Sequence, residues 1–309
     1  MGIKAKDLLS MEQLSREQIE LILQTAKEMK KIIKRDLKKV PTLRGKSIVT
    51  LFYEPSTRTR TSFELAGKYM SADVVNINPA VSSMVKGESL KDMGLSLQAM
   101  GVDLVIIRHK MAGAPAFLSN FLEARIINAG DGFHEHPTQA LLDLLTIEEY
   151  YGSLAGLKVA IIGDILHSRV ARSNLSGLTT MGAQVKLCGP ATFIPPGVEE
   201  KAEITYDLKE AIQDADVIMV LRLQLERQRA GFFPSLREYS QLYGINKTKL
   251  ALAKKDCLVI HPGPINRGIE ISGEVADSLN SYIPEQVTNG VAVRMALLYL
   301  MLVRKGADD

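Results

Sequence analysis

SIVTLFYEPSTRTRTSFELAGKYMSADVVNIN, residues 47–78, holds three pieces of different character. The first, SIVTLFY (47–53), is a strand-like apolar run. The second begins with EPSTRTRTSFE (54–64), which packs two arginines, three threonines, two serines and a proline into eleven positions, and its spacing predicts a helix near 57–70. The third, DVVNIN (73–78), is again strand-like. Strand, helix and strand in this order predict a βαβ unit and a parallel sheet. If the helix starts near Thr57, then Ser56, Thr57, Arg58 and Thr59 stand at its N-terminus. There backbone N–H groups have no helical partner and the macrodipole adds positive charge.

The same alternation extends on both sides. A capping box, Ser15-Arg-Glu-Gln18, opens a first helix with Ile19, Ile22, Leu23, Ala26, Met29 and Ile33 at helical spacing. Strand-like runs recur at 103–108 and 125–130, with helical segments near 88–100 and 115–123. After an amphipathic helix at about 136–151 the pattern restarts, with strands at 157–164, 184–188, 216–220 and 257–261. Helices are expected to begin near His167, Gly197, Asp207 and Lys247, and a last one at Pro284. The fold class is therefore α/β: two doubly wound domains, each with a mostly parallel sheet flanked by helices, bridged by two interdomain helices. The expected division is a first domain at 1–135, an interdomain helix at 136–151 and a second domain at 152–283, with 284–309 packing back on the first.

Composition narrows the function. Across 309 residues, hydrophobic residues make up 46%, charged residues 24%, and the net charge is only +3. That is an ordinary globular mixture with no global basic field to draw nucleic acid or a membrane surface. Any attraction for anions must come from local clustering. The two cysteines, Cys188 and Cys257, form neither a disulfide framework nor a zinc spacing, which fits a reducing cytoplasm. The N-terminus lacks a signal-peptide core, and the apolar run 291–303 is too short to span a bilayer and is broken by Arg294.

A helix N-terminus rich in hydroxyls, with the planar fork of Arg58, suits a phosphate or similar anion. Ser56 alone reads better as a plain helix cap; the whole cluster at the carboxyl end of a strand points to a ligand. No GxxxxGK[ST] is present, so a nucleotide P-loop is not supported, and around Gly163-Asp164 the GxGxxG of a dinucleotide fold is missing, so that pair reads as a tight strand-to-helix turn. His134-Glu135-His136 could face a metal as an extended segment, but there is no clear third ligand and Pro137 marks a helix start.

STRTRTSFE (56–64) resembles the carbamoyl-phosphate motif of the aspartate and ornithine carbamoyltransferases, and HPTQALLDLLTI (136–147) is similar to that family's second motif. LRLQLER (221–227) and HPGPINRG (261–268) resemble the aspartate-specific branch; the HCLP and SMG segments of the ornithine branch are absent. The resemblance implies transfer of a carbamoyl group from carbamoyl phosphate to the α-amino group of L-aspartate in pyrimidine (UMP) biosynthesis, without cofactor or metal. It assigns Ser56, Thr57, Arg58 and Thr59 to the phosphate, Arg108 to phosphate and carbonyl, His136 to the carbamoyl oxygen and Gln139 to the carbamoyl amide. Arg60 is expected to stay structural. Arg169, Arg222 and Gln224 are assigned to aspartate, and the carbonyls of Gly263 and Pro264 to the reacting amine and amide, although some relatives carry Leu where Gly263 stands. Ser82 and Lys86 match loop residues that reach a neighbouring subunit's site, with Lys86 also counted among the aspartate ligands, which implies a homotrimer with shared active sites. Further assembly with regulatory or other pyrimidine-pathway chains stays open. No residue is an obvious general base, so the departing phosphate is the expected proton acceptor. Competing readings are a carbamoyltransferase for another amine and a non-catalytic phosphate-ligand binder on the same fold.

Overall fold

In the computed structural model, residues 5–78, 87–224 and 235–303 are described. The chain divides into two compact units, Met1–Leu142 with Val287–Asp309, and Asp143–Gln286.

In the first unit, α1 (Arg16–Ile33) opens with the expected capping box: Ser15 accepts from the Gln18 N–H and the Gln18 side chain returns to the Ser15 backbone. The sheet comprises β1 (Ser47–Phe52), β2 (Asp73–Ile77), β3 (Leu104–His109) and β4 (Arg125–Asp131), in the order β2-β1-β3-β4. All its pairings are parallel, and the Val/Ile/Leu runs of β1, β3 and β4 are buried as strands covered on both faces are, while the edge strand β2 is largely exposed. The intervening helices are α2 (Thr57–Tyr69), α3 (Leu90–Ala99) and α4 (Ala114–Ser119). One face of the sheet, with Val49, Leu51, Val105, Ile107 and Ile126, packs on Met93 and Leu97 of α3 and on Leu118 and Leu122. The chain reverses its direction across the sheet between β1 and β3, where open α/β sheets offer a crevice at the strands' carboxyl ends.

Helix α5 (Pro137–Tyr151) contains the boundary at Leu142/Asp143. In the second unit, β5 (Lys158–Ile162), β6 (Gln184–Cys188), β7 (Glu203–Thr205), β8 (Val217–Val220) and β9 (Leu258–Ile260) form an all-parallel sheet in the order β7-β6-β5-β8-β9. Its reversal lies between β5 and β8. Around it run α6 (Arg169–Thr180), α7 (Leu208–Ile212), α8 (Leu236–Tyr243), α9 (Lys247–Leu250) and α10 (Gly273–Ala276). Cys188 and Cys257 are unbridged core residues, and burial pushes both thiols up to about 12. Helix α11 (Ile283–Leu302) holds the second boundary, at Gln286/Val287. Among the described residues no helix is long and apolar enough to cross a membrane.

Several elements differ from the sequence reading. The helix expected near Gly197 is a single 3-10 turn, Val198–Glu200, with left-handed Gly197 before it. The edge strand β7 and the helices α8 and α10 have no counterpart in the sequence reading, and the helix expected at 115–123 stops at Ser119.

Candidate active site

The first unit gathers seven of the predicted site residues. Ser56 is the N-cap of α2 in extended conformation (φ −159, ψ 103), yet its side chain makes no capping bond. Its hydroxyl is thus not consumed as the cap that a lone serine there would suggest. The first intrahelical bond runs from the Arg60 N–H to the Ser56 carbonyl at 3.4 Å, so Thr57, Arg58 and Thr59 occupy the turn whose N–H groups lack helical acceptors. Thr59, Ser62, Phe63, Ala66 and Gly67 form the inward stripe of α2, while Arg58 and Arg60 are exposed. Thr59 therefore anchors the turn and Arg58 stands at its outer tip.

Arg108 lies near the end of β3, paired in register with Phe52 of the adjacent β1. Its Nε is 3.3 Å from the Glu54 carboxylate, with both side chains largely buried, and its Nη1 donates to the Ala129 carbonyl at 3.4 Å. The β3–β4 register explains that second contact. Ile107 pairs with Asn128 and His109 with Asp131, so Ala129 and Gly130 both stand opposite Arg108. This bulge re-aims the strand end beside the candidate site. Asn128 supports it: its Oδ1 accepts from the Gly130 N–H at 2.8 Å, and its Nδ2 donates to Asp131 at 2.8 Å and to the Leu9 carbonyl at 2.9 Å.

Asp131, wholly buried, is the hub of the turn that delivers α5. Its carboxylate accepts from the backbone N–H groups of Gly113 (2.7 Å) and Glu135 (3.1 Å) and lies 3.1 Å from His134 Nδ1. His134 is exposed whereas His136 is buried, so the two imidazoles that looked equivalent in sequence have different surroundings. The His136 carbonyl accepts from the Gln139 and Ala140 N–H groups at 2.9 and 3.3 Å, which makes His136 the residue that starts α5 ahead of Pro137. Both His136 and Gln139 are buried. The N-terminus of α5 thus joins that of α2 and the Arg108 guanidinium at the carboxyl ends of one sheet's strands, a set of cations and donors fit for an anion with a polarisable carbonyl.

Arg294, the residue that interrupts the apolar run of α11, ties the two helices together. Its Nη1 donates to Ser62 Oγ of α2 (2.8 Å) and the Gly290 carbonyl (3.0 Å), its Nη2 to Thr138 Oγ1 of α5 (3.4 Å), and the guanidinium lies 4.9 Å from the Phe63 ring centre.

The second unit places the other predicted residues at the carboxyl ends of β5, β8 and β9, which are neighbours in its sheet. After β5, Gly163 has φ +125, and a Cβ there would meet the Tyr239 hydroxyl at 2.9 Å. Buried Asp164 then accepts from the His167 N–H at 3.1 Å and lies 2.9 Å from its Nδ1, closing the expected tight turn. Ser168 caps α6 by accepting from the Ala171 N–H, and Arg169 follows as the first helical residue, buried. Beyond β8, Arg222 is half-buried, and Gln224 Nε2 donates to the His167 carbonyl at 3.3 Å, joining the β8 exit to the β5 exit. Beyond β9, Gly263 (φ 60) and Pro264 form the turn, joined by a cis peptide bond. Ser82 and Lys86 lie outside the described residues. Among the described residues no group of three His, Cys, Asp or Glu side chains is placed to hold a metal ion.

Sequence reading missed Glu54, Asn128, Asp131 and Arg294 as parts of this architecture. The available signal was a polar residue inside or directly after an apolar run, which a buried side chain tolerates only with partners.

Two parallel sheets, each with guanidinium groups and a helix N-terminus at its switch point, define an α/β protein equipped twice over for anions. The carbamoyl-P binding domain model of the aspartate/ornithine carbamoyltransferases matches residues 6–149, and the Asp/Orn binding domain model of the same family matches 155–301. The aspartate carbamoyltransferase catalytic subunit of Moorella thermoacetica is 62% identical over 303 residues, covering 98% of this chain and 99% of that one. Among solved structures, the Trypanosoma cruzi aspartate transcarbamoylase in complex with carbamoyl aspartate and phosphate superposes with TM-score 0.90 at 32% identity, covering 97% of each chain. The ornithine carbamoyltransferase of Pyrococcus furiosus gives 0.87 at 29% identity, covering 99% of this chain and 100% of that one. The chain belongs to the aspartate/ornithine carbamoyltransferase family.

Proposed function

We propose that the protein transfers the carbamoyl group of carbamoyl phosphate to the α-amino group of L-aspartate, yielding N-carbamoyl-L-aspartate and phosphate, in cytoplasmic pyrimidine (UMP) synthesis. The observation that carries this is the pairing of full-length kinship to aspartate carbamoyltransferases with arginines at the switch points of both sheets. Ser56, Thr57, Arg58 and Thr59 hold the phosphate, Arg108 spans phosphate and carbonyl oxygen, and Gln139 holds the amide. His136 donates to the carbonyl oxygen. That bond strengthens as the oxygen becomes an oxyanion, which is what lowers a barrier. Arg169, Arg222 and Gln224 take the aspartate carboxylates, and the carbonyls of Gly263 and Pro264 accept from amine and amide.

The amine nitrogen attacks the carbamoyl carbon, the carbon–oxygen bond to phosphorus breaks, and phosphate leaves with the electron pair. The leaving phosphate takes the amine proton, its second pKa being near neutrality. A single-turnover pH profile demanding an enzyme base other than His136 would overturn that assignment. Ser82 and Lys86 come from a neighbouring chain in a homotrimer, so each site is completed by two chains.

The test is a carbamoyl-aspartate assay on wild type, Arg58→Ala and Lys86→Ala, with ornithine, putrescine and N-acetylornithine as alternative acceptors. Aspartate is the expected acceptor and both variants are expected to be nearly inactive. A mixture of the two variants should regain activity in hybrid trimers. Preference for ornithine would refute the acceptor, tight carbamoyl-phosphate binding without turnover would refute catalysis, and no regain would refute the shared site.

A further inference from the structure

Beyond β9 the chain carries a buried ionisable pair with no place in the chemistry above. His261 and Glu270 are both fully buried, with His261 Nε2 3.2 Å from Glu270 Oε1. The other ring nitrogen, Nδ1, accepts from the backbone N–H of Gly263 at 2.7 Å. A backbone N–H can only donate, so Nδ1 holds a lone pair and the ring proton sits on Nε2, directed at the carboxylate. The His261 backbone is held as well, its N–H donating to Gln286 Oε1 at 2.9 Å, while Gln286 Nε2 donates to the buried Asp143 at 2.7 Å.

The carboxylate reaches further. Glu270 Oε1 also accepts from the Asn266 N–H at 2.6 Å, and Asn266 Nδ2 donates to the Leu223 carbonyl at 3.1 Å. Leu223 sits between Arg222 and Gln224. One carboxylate oxygen is therefore connected, through one residue and two hydrogen bonds on each side, to the Gly263–Pro264 turn and to the segment that presents the β8 arginine.

We infer that Glu270, His261 and Asn266 form a positioning relay that sets the exits of β8 and β9 relative to each other, with His261 as the neutral Nε2–H tautomer. The inference deepens the proposed function and rests on it for the role of the two exits. None of the three touches substrate. They act by fixing the carbonyls of Gly263 and Pro264 and the backbone bearing Arg222 and Gln224. Buried polar networks suit this task because each member restricts the geometry of the next.

The test compares two substitutions that keep different halves of the imidazole. His261→Asn retains an acceptor at the Nδ1 position for Gly263, whereas His261→Gln retains a donor toward Glu270 and leaves the Gly263 N–H without its acceptor. Each breaks the path from Glu270 to Gly263 at a different bond, so each is expected to lose about tenfold or more in kcat/KM for aspartate, the equivalent of one hydrogen bond. Either variant keeping kcat/KM for aspartate within about threefold of wild type would overturn the relay. Asn266→Ala, a milder change, should raise KM for aspartate about tenfold and leave carbamoyl-phosphate affinity unchanged; a loss shared equally by both substrates would indicate a merely structural role and refute it. Nitrogen NMR of protein labelled with 15N-histidine, with the His261 signal assigned by its loss in His261→Asn, reads the tautomer without any activity. A proton on Nε2 alone at neutral pH supports the inference, and a proton on Nδ1 sinks it. Wild-type protein that fails to carbamoylate aspartate would remove the proposed function while leaving the tautomer result intact.

Discussion

Replacing Asp131 by Asn changes one atom and tests how the N-terminus of α5 is held. One carboxylate oxygen receives Asn128 Nδ2 at 2.8 Å and the Glu135 N–H at 3.1 Å; the other receives the Gly113 N–H at 2.7 Å and faces His134 Nδ1 at 3.1 Å. A carboxamide must turn its NH2 toward one of these sets. Facing the first set, it opposes two donors; facing the second, it opposes the Gly113 N–H while the imidazole can switch to accepting. The molecule takes the second choice, which strands one buried N–H at about 1–3 kcal/mol and weakens the remaining bonds by removing their charge. The sum is about 2–4 kcal/mol, a large share of the roughly 5–15 kcal/mol that holds a domain folded. The Glu135 N–H keeps an oxygen acceptor but loses the charge on it, and because His136 is the next residue the imidazole should also be less firmly aimed. A displacement of about 1 Å at a reacting group can cost on the order of a hundredfold in rate. Urea unfolding gives the stability and the carbamoyl-aspartate assay gives kcat. A stability loss below about 1 kcal/mol with unchanged kcat would refute the claim that Asp131 organises this turn.

Arg294→Ala removes a buried guanidinium that links α2 to α5, and should lower stability by about 1.5–3 kcal/mol in thermal unfolding, with weaker carbamoyl-phosphate binding by calorimetry. Arg222→Lys keeps the charge but loses the planar fork, so KM for aspartate should rise tenfold or more while carbamoyl-phosphate affinity is retained, an outcome initial-rate kinetics will read at about that scale. Gly189→Ala would drive a Cβ into the Gly163 carbonyl oxygen, against backbone that cannot yield cheaply, and should abolish soluble expression or drop the melting temperature sharply. For pH, burial pushes the Asp103 carboxyl up, but the Lys46 ammonium and the Ser47 N–H outweigh it and hold it below its ordinary value. A lowered folded-state value adds stability that is present above the unfolded carboxylate range and is lost as pH falls through the folded value. Asp103→Asn should therefore flatten the acid limb of urea stability below about pH 4, and an unchanged limb would count against the pair.

The sequence by itself determined the α/β class, eight of the nine strands among the described residues, the start of α2 at the STRTR segment and the positions of Arg108 at a strand end and of Arg169 and Arg222 beyond strands. These are local matters. Apolar runs of strand length, capping residues and the polar clusters that follow them act within a few residues, so their pattern survives in one dimension. Only the tertiary structure decided that Arg108 rests on Glu54 and on a bulge in β4, and that Asp131 holds the turn before His136. It alone showed Arg294 of α11 reaching Ser62, 232 positions away in sequence, and His261 meeting Glu270. In the chain these are single polar residues in or beside apolar runs. What makes them necessary is burial, since a charge or donor removed from water must find its partner wherever the fold brings one, and that choice is made by sheet order and register across distant segments.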